Sequence, residues 1–161
     1  MKKIALGICF ILAGFANSAS AQVRINVNIG SQPVWGPAGY DYAEYYYLPD
    51  VDAYYYIPDR QFIYLNGNKW VFARALPSSY HYDLYSGYKV IVNEPKPYLR
   101  PAIYREKYGK YKGWYGKQAV IRDSRDSKYY VVKGHPMNSK GNVNKQKGNK
   151  GGNKGKGHKK H

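Results

Sequence analysis

Cysteine is almost absent from this chain of 161 residues: the single one, Cys9, lies in the first apolar stretch. Two lysines, an apolar run over 4–16 and the small residues 19–21 form the three-part pattern of a secretory signal peptide. We therefore expect residues 1–21 to be removed and the protein to be exported, to the periplasm, the cell surface or the medium. The exported form would then carry no disulfide bond, no thiol nucleophile and no cysteine-ligated zinc.

Long hydrophobic runs and catalytic motifs are missing as well. After residue 21 no apolar run approaches the roughly 20 residues that span a bilayer, so no integral membrane span is expected after cleavage. The sequence has no glycine-rich phosphate loop, no H-E-x-x-H and no G-x-S-x-G. His135, His158 and His161 could hold a metal only weakly, because the surrounding lysines repel cations. We predict no enzyme activity, no metal and no cofactor.

Acidic residues are scarce, with 10 Asp and Glu against 26 Lys and Arg. Two of the lysines fall in the leader, which leaves a net charge of +14 on the exported chain and +6 on residues 22–133. Eight lysines and no acid follow residue 133. That end of the chain consists almost entirely of Lys, Gly and Asn, which cannot bury enough apolar surface to offset the entropy of ordering. We predict a folded domain over 22–133 and a disordered basic tail over 134–161.

Aliphatic residues are few too, whereas all 20 tyrosines fall within 22–133. They are densest in YYYLPDVDAYYYIPD (45–59), which predicts two short strands, each followed by a Pro-Asp turn. Side chains alternate along a strand, so Tyr46 and Tyr55 should point away from the outer tyrosines of their triplets. We predict that one face buries its rings and that the other shows rings to water. Two interpretations remain open, that tyrosine replaces aliphatic residues in the core or that it forms a binding surface.

Further strands are predicted along the domain. VRINVNI (23–29) alternates strictly, and YKVIV (88–92) is a short apolar run. Asn66-Gly67 predicts a type I′ hairpin joining 61–65 to 69–73, and 119–132 resembles a last hairpin that turns at 123–127. Tyrosines spaced by four, three and four residues predict a short helix near 101–108. The fold class is therefore mainly β: a small antiparallel meander with at most one short helix, plus the tail.

The charges of the domain are segregated. Residues 40–59 contain five acids and no base, and residues 96–117 contain seven bases and one acid. The two segments could neutralise each other, or the second could form a basic patch with interleaved rings that binds phosphate or carboxylate polymers. The predicted polyanion-binding residues are Arg100, Arg105, Lys107, Lys110, Lys112 and Lys117 in the patch, with Lys154, Lys156, Lys159 and Lys160 in the tail. The predicted aromatic surface comprises Tyr46, Tyr55, Tyr108 and Tyr111.

Four stretches carry a resemblance to known proteins: WGPAGYDYAEYYYLPD, FIYLNGNKWVFARALPSSYHYDLYSGYKVIVNEP, YKGW and IRDSRDSKYYVVKGHP. Together they resemble a group of small exported tyrosine-rich proteins of Bacteroidota-type bacteria, over about residues 33–136. The resemblance implies export and a single domain. It implies no activity, ligand or site residue, and the lysine-rich tail lies outside it.

Three functions are compatible with these patterns. The first is a non-enzymatic protein of the cell envelope whose basic tail binds an anionic polymer, namely lipopolysaccharide, acidic glycan or extracellular nucleic acid. The second is a nucleic-acid-binding module that uses the 100–117 patch together with the tail. The third, an envelope enzyme, has no catalytic motif to support it. The sequence leaves the oligomeric state open.

Overall fold

A computed structural model describes residues 27–138 of the chain. Its centre is a five-stranded antiparallel sheet with the strand order β4-β3-β2-β1-β5. One α-helix, α1 (Pro101–Tyr108), and several 3₁₀ turns complete this part of the chain, and none of its helices is long and apolar enough to cross a membrane. The predicted mainly β fold with one short helix is confirmed. The strands are β1 (Tyr45–Leu48), β2 (Ala53–Tyr56), β3 (Gln61–Asn66), β4 (Lys69–Ala73) and β5 (Val90–Val92).

The two tyrosine triplets form neighbouring strands in register. Tyr46 of β1 lies opposite Tyr55 of β2, and the outer tyrosines pair in the same way. The three cross-strand ring pairs have centroid separations of 4.7, 6.2 and 5.1 Å. Aromatic pairs directly opposite each other stabilise a sheet by up to about 1 kcal/mol each. The repeated triplet thus forms three cross-strand tyrosine pairs that join β1 to β2.

Both faces of the β1–β2 strand pair are buried, so the predicted exposure of Tyr46 and Tyr55 is wrong. Tyr46 has no exposed surface and Tyr55 is 6% exposed. The indole of Trp35 lies edge-on to both rings, at 5.8 and 4.7 Å. The Tyr46 hydroxyl donates to Oε1 of Gln32 at 2.8 Å, which satisfies its polar end inside the protein. On the opposite face, Tyr104 of α1 packs against the outer tyrosines.

The β3–β4 hairpin is confirmed, but its turn differs from the predicted one by a residue. Asn66 pairs with Lys69, which makes Gly67 and Asn68 the two turn residues. Gly67 has a φ of +59°, whereas Asn68 is not among the residues with positive φ. Positive φ at the first central residue alone is the type II′ arrangement, which also matches the twist of the strands. The predicted type I′ turn at Asn66-Gly67 is therefore wrong.

The predicted strand over 23–29 is not formed in the part that the structure describes. Residues 23–26 lie outside that part, and Ile29–Ser31 is a 3₁₀ turn. The Asn28 side chain takes the place of a strand residue instead. Its Oδ1 accepts from the Ala43 N–H at 3.0 Å and its Nδ2 donates to the Ala43 carbonyl at 2.6 Å. A side-chain amide that imitates a peptide group competes with regular pairing.

The predicted hairpin over 119–132 is absent. The segment forms two 3₁₀ turns, Ile121–Asp123 and Ser127–Val131, and the Asp126 carboxylate caps the second by accepting from the Lys128 N–H. Tyr129 and Val132, three residues apart, point into a small core with Ile29 and Ile121. A spacing of three suits a 3₁₀ turn, in which side chains at i and i+3 align, and does not suit a strand.

The packed domain continues beyond its predicted end at residue 133. His135 is 4% exposed, and its Nε2 lies 3.1 Å from the carbonyl oxygen of Ser124. Its Nδ1 accepts from the Met137 N–H at 3.1 Å, and Asn138 Nδ2 donates to the carbonyl of Val132 at 2.8 Å. The predicted start of the tail is thus a few residues too early. The leader and the lysines predicted to bind in the tail lie outside the described residues.

Candidate polyanion-binding surface

Helix α1 and the 3₁₀ turn that follows it align three tyrosines. Tyr104, Tyr108 and Tyr111 are separated by four and three residues, so they fall on one side of the helical segment. Consecutive ring centroids are 6.2 and 6.3 Å apart and the planes differ by 26° and 21°. The inner end of this row is held by the sheet, since Tyr47 lies 5.9 Å from Tyr104 and 6.2 Å from Tyr108. The row therefore leads from the core towards the surface.

At the outer end, residues from two distant segments extend the row. Tyr88, just before β5, stacks on Tyr111 with centroids 4.6 Å apart and planes 17° apart. Trp114 stands perpendicular to both, at 5.7 Å from Tyr88 and 5.0 Å from Tyr111. Trp114 is 44% exposed, and the neighbouring Tyr115 is 53% exposed. The row thus ends in rings that a flat ligand could reach.

A groove of about 300 Å³ lies beside the row. Tyr88, Tyr108 and Tyr111 form one part of its lining, and Tyr40 and Tyr42 contribute from the loop before β1. Val90 and Ile91 of β5, with the flanking Lys89 and Asn93, complete it. Tyrosine hydroxyls and ring faces together offer both hydrogen bonds and stacking, which suits ligands that are partly flat and partly polar.

Four lysines accompany these rings, and none of them forms an ion pair with a residue that the structure describes. Lys107 Nζ lies 5.1 Å from the ring centroid of Tyr108, and Lys110 Nζ lies 5.3 Å from that of Tyr111. Both are cation–π contacts at exposed positions, worth about 0.5–1 kcal/mol each. Lys112 and Lys117 are exposed further along the same segment. We name the following set the basic aromatic surface: Tyr88, Tyr108, Tyr111, Trp114, Lys107, Lys110, Lys112 and Lys117.

Arg100 and Arg105 have structural partners, so we leave them out of the basic aromatic surface. Arg100 Nη2 lies 2.7 Å from Oε2 of Glu94, and Arg105 is paired with Asp52 in the β1–β2 turn. The Asp52 carboxylate raises the pKa of Arg105. The acidic segment 40–59 and the basic segment 96–117 therefore neutralise each other at the Arg105–Asp52 pair. This ion pair connects α1 to the β1–β2 turn. The remaining lysines of the segment keep their charge available.

Glu94 also fixes the inner end of the row of rings. Its Oε2 accepts from the Tyr104 hydroxyl at 3.0 Å. Burial, with the Glu94 hydrogen bond and charge as the next causes, raises the pKa of Tyr104 to about 12. This phenol therefore stays neutral over the physiological range and serves to position α1, while the outer rings remain accessible.

The sequence predicted part of this surface. The prediction that Tyr108, Tyr111 and the lysines between 107 and 117 share one patch agrees with the structure, because these residues are close in sequence. Trp114 was missed, although its position three residues after Tyr111 is a helical-spacing signal. Tyr88 was missed because only the tertiary fold brings it to Tyr111. In residues 27–138 no group of three His, Cys, Asp or Glu side chains is placed to hold a metal ion.

Comparison with known proteins adds no constraint on the site. No protein-family model, no curated protein and no solved structure matches the chain. The resemblance to exported tyrosine-rich proteins therefore stays an expectation from the sequence, and function is argued from the surface itself.

Proposed function

We propose that this protein is an exported, non-enzymatic protein of the cell envelope that binds an anionic polymer through the basic aromatic surface. The observation that supports it is the row of stacked rings that ends at the exposed Trp114, beside lysines with no acidic partner among residues 27–138. The predicted leader supplies the location, and the lysine-rich tail adds further positive charge.

The chemistry of the surface favours a polymer with repeated negative charges. Lysines spread along 107–117 act as separate point charges, and each can neutralise one phosphate or carboxylate with release of a counterion. The exposed rings add stacking, which is largely insensitive to salt. Lipopolysaccharide phosphates, acidic glycan and extracellular single-stranded nucleic acid all present such charges, and the last also presents bases that stack on tryptophan.

The test is binding of the full-length exported chain to lipopolysaccharide, to an acidic polysaccharide and to single-stranded DNA across a salt series. Lys107→Gln with Lys110→Gln should lower the slope of log affinity against log salt by about 1.4 for single-stranded DNA, the value for two neutralised phosphates. A control with the same charge change, Lys69→Gln with Arg125→Gln, alters exposed residues elsewhere. Equal effects of the two double variants on every polymer would contradict the proposal, since binding would then depend on net charge alone.

A further inference from the structure

A second cleft, of about 510 Å³, lies on the sheet face opposite α1. Its position is set by the ends of β2, β3 and β4 and by two loops that cross them. The volume lies within the range of small-ligand sites, about 300–1,000 Å³. None of the residues that line it belongs to the basic aromatic surface. The lining residues are Trp35, Tyr55, Asp59, Arg60, Phe62, Arg74 and Leu84.

Three aromatic rings form the apolar part of the cleft. Trp35 lies 4.7 Å from Tyr55 in an edge-on arrangement, and 6.0 Å from Phe62 with planes only 15° apart. Tyr55 and Phe62 are themselves 4.8 Å apart on adjacent strands. Because Tyr55 and Phe62 are almost fully buried, their rings are locked, and Trp35, which is half-buried, presents a rigid indole to the cleft.

Two arginines at the rim have side chains that are available to a ligand. Neither Arg60 nor Arg74 forms an ion pair or a side-chain hydrogen bond with another residue of the described part. Arg60 has a φ of +55°, in the left-handed region that glycine and asparagine usually occupy. Its N–H is nevertheless bonded to the Ile57 carbonyl at 3.2 Å, which closes the β2–β3 turn. Strained residues of this kind are concentrated at functional sites.

A smaller hollow adjoins the cleft and shares part of its lining. It measures about 180 Å³, shares Trp35, Tyr55 and Arg60 with the larger one, and adds Lys133. The combined groove therefore carries three cationic side chains and one carboxylate, that of Asp59. Two adjoining hollows could accept more than one unit of a chain-like ligand.

We propose that the cleft binds an acidic sugar, a pyranose that carries a carboxylate, as a unit of a glycan. The apolar C–H face of the pyranose would lie against the Trp35 indole. Arginine donates two parallel hydrogen bonds to a carboxylate, which Arg60 and Arg74 are free to do. Asp59 would accept hydrogen bonds from sugar hydroxyls, and it would repel a phosphate dianion more strongly than a singly charged carboxylate. This site is independent of the proposed function, because it lies on the other face of the sheet.

The experiment follows backbone and indole NMR signals of the full-length exported chain during titration with tetragalacturonate. The expected shifts include Trp35, Arg60 and Arg74. Any shift at Trp114 reports the separate binding that is proposed for the basic aromatic surface. Arg60→Asn with Arg74→Gln should weaken tetragalacturonate binding at least tenfold. Asparagine tolerates positive φ, so Arg60→Asn removes the guanidinium while keeping the turn. Arg74→Gln alone, just after β4, supplies a second variant that leaves the turn untouched.

Two comparisons make the result decisive. Lys107→Gln with Lys110→Gln changes charge by the same amount and should leave tetragalacturonate binding at the cleft unchanged while weakening polyanion binding at the basic aromatic surface. Neutral maltotetraose and adenosine monophosphate should bind at least tenfold more weakly than tetragalacturonate. If maltotetraose bound as tightly as tetragalacturonate, the proposed role of the carboxylate would be wrong. If adenosine monophosphate bound more tightly than tetragalacturonate, the proposal that the ligand is an acidic sugar would be wrong. Shifts confined to Trp114 would overturn the site while leaving the proposed function intact.

Discussion

Lys89 Nζ donates a hydrogen bond of 2.6 Å to the carbonyl oxygen of Gly87, inside the protein. Only 1% of the Lys89 surface is exposed. Burial lowers the pKa of this ammonium group to about 8, and the charge of Asp83 offsets the effect only in part. No described carboxylate lies within ion-pairing distance of it. A cation that is buried beside one carbonyl makes the stability of the domain depend on pH.

Stability should rise between pH 7 and pH 9. The folded-state pKa of Lys89 is lowered from 10.5 to about 8, so above pH 8 the folded protein releases a proton that the unfolded chain retains. The unfolded state then binds more protons, and the free energy of unfolding increases with pH, by about 1.4 kcal/mol over this interval. Urea unfolding at both pH values measures it. Lys89→Met should abolish the increase, while the exposed control Lys112→Met should keep it; an increase that persists in Lys89→Met would contradict the assignment.

Loss of the hydroxyl group should change the free energy of unfolding differently at two buried tyrosines of the triplets. Tyr46 and Tyr54 both have no exposed surface. The Tyr46 hydroxyl is bonded to Gln32, whereas the Tyr54 hydroxyl has no hydrogen-bond partner among the described residues. Tyr46→Phe should lower the free energy of unfolding by about 1–3 kcal/mol, because it leaves the Gln32 oxygen unsatisfied. Tyr54→Phe should be neutral or stabilising, because it removes an unpaired buried polar group.

Chemical denaturation of the two variants at pH 7 checks this prediction. The ring volume is nearly unchanged in both, so the comparison isolates the hydroxyl. A Tyr54→Phe variant as destabilised as Tyr46→Phe would show that the Tyr54 hydroxyl has a partner, such as a buried water molecule.

These tyrosines also show how far the sequence predicts the fold. Strand propensity and the Pro-Asp turns predicted both triplet strands, and alternation predicted the opposite directions of Tyr46 and Tyr47. The burial of both faces could not be predicted, because it depends on Trp35 folding back over one face and α1 over the other. Helical spacing likewise predicted Tyr108 and Tyr111 as neighbours. Their contact with Tyr88 could not be predicted, because it depends on the tertiary path of the chain and local sequence patterns do not indicate that path.

The β3–β4 turn gives a prediction that separates the two hairpin types. Gly67 has positive φ, and apart from its two chain neighbours no residue has an atom within 4 Å of the place a Cβ would take there, so the cost of Gly67→Val is expected to be mainly conformational. A β-branched residue resists this region, and we expect the melting temperature to fall, with a loss of roughly 1–2 kcal/mol. Asn66→Val, at a strand position, should have little effect. A large effect at Asn66 would favour the type I′ turn, which needs positive φ there.

Trp114 should contribute to polymer binding in a way that salt does not change. It is 44% exposed and stands perpendicular to Tyr88 and Tyr111, so its ring is held while its surface is open. Stacking of a base on such a ring is worth about 1–3 kcal/mol. Trp114→Ala should therefore weaken binding of single-stranded DNA by about five- to 150-fold at every salt concentration, with the slope against log salt unchanged, because no charge is removed.

Phe72→Ala is the matched control, since Phe72 is 50% exposed and lies on the edge strand β4. It should leave the affinity unchanged, and a melting curve for each variant shows that the domain remains folded. The same pair of variants measured on an acidic polysaccharide distinguishes the two polymer classes, because a large loss on DNA alone indicates base stacking. If Trp114→Ala and Phe72→Ala bind both polymers as the wild type does, only the lysines carry the affinity, and the row of rings serves to hold α1 and its flanking segment against the sheet.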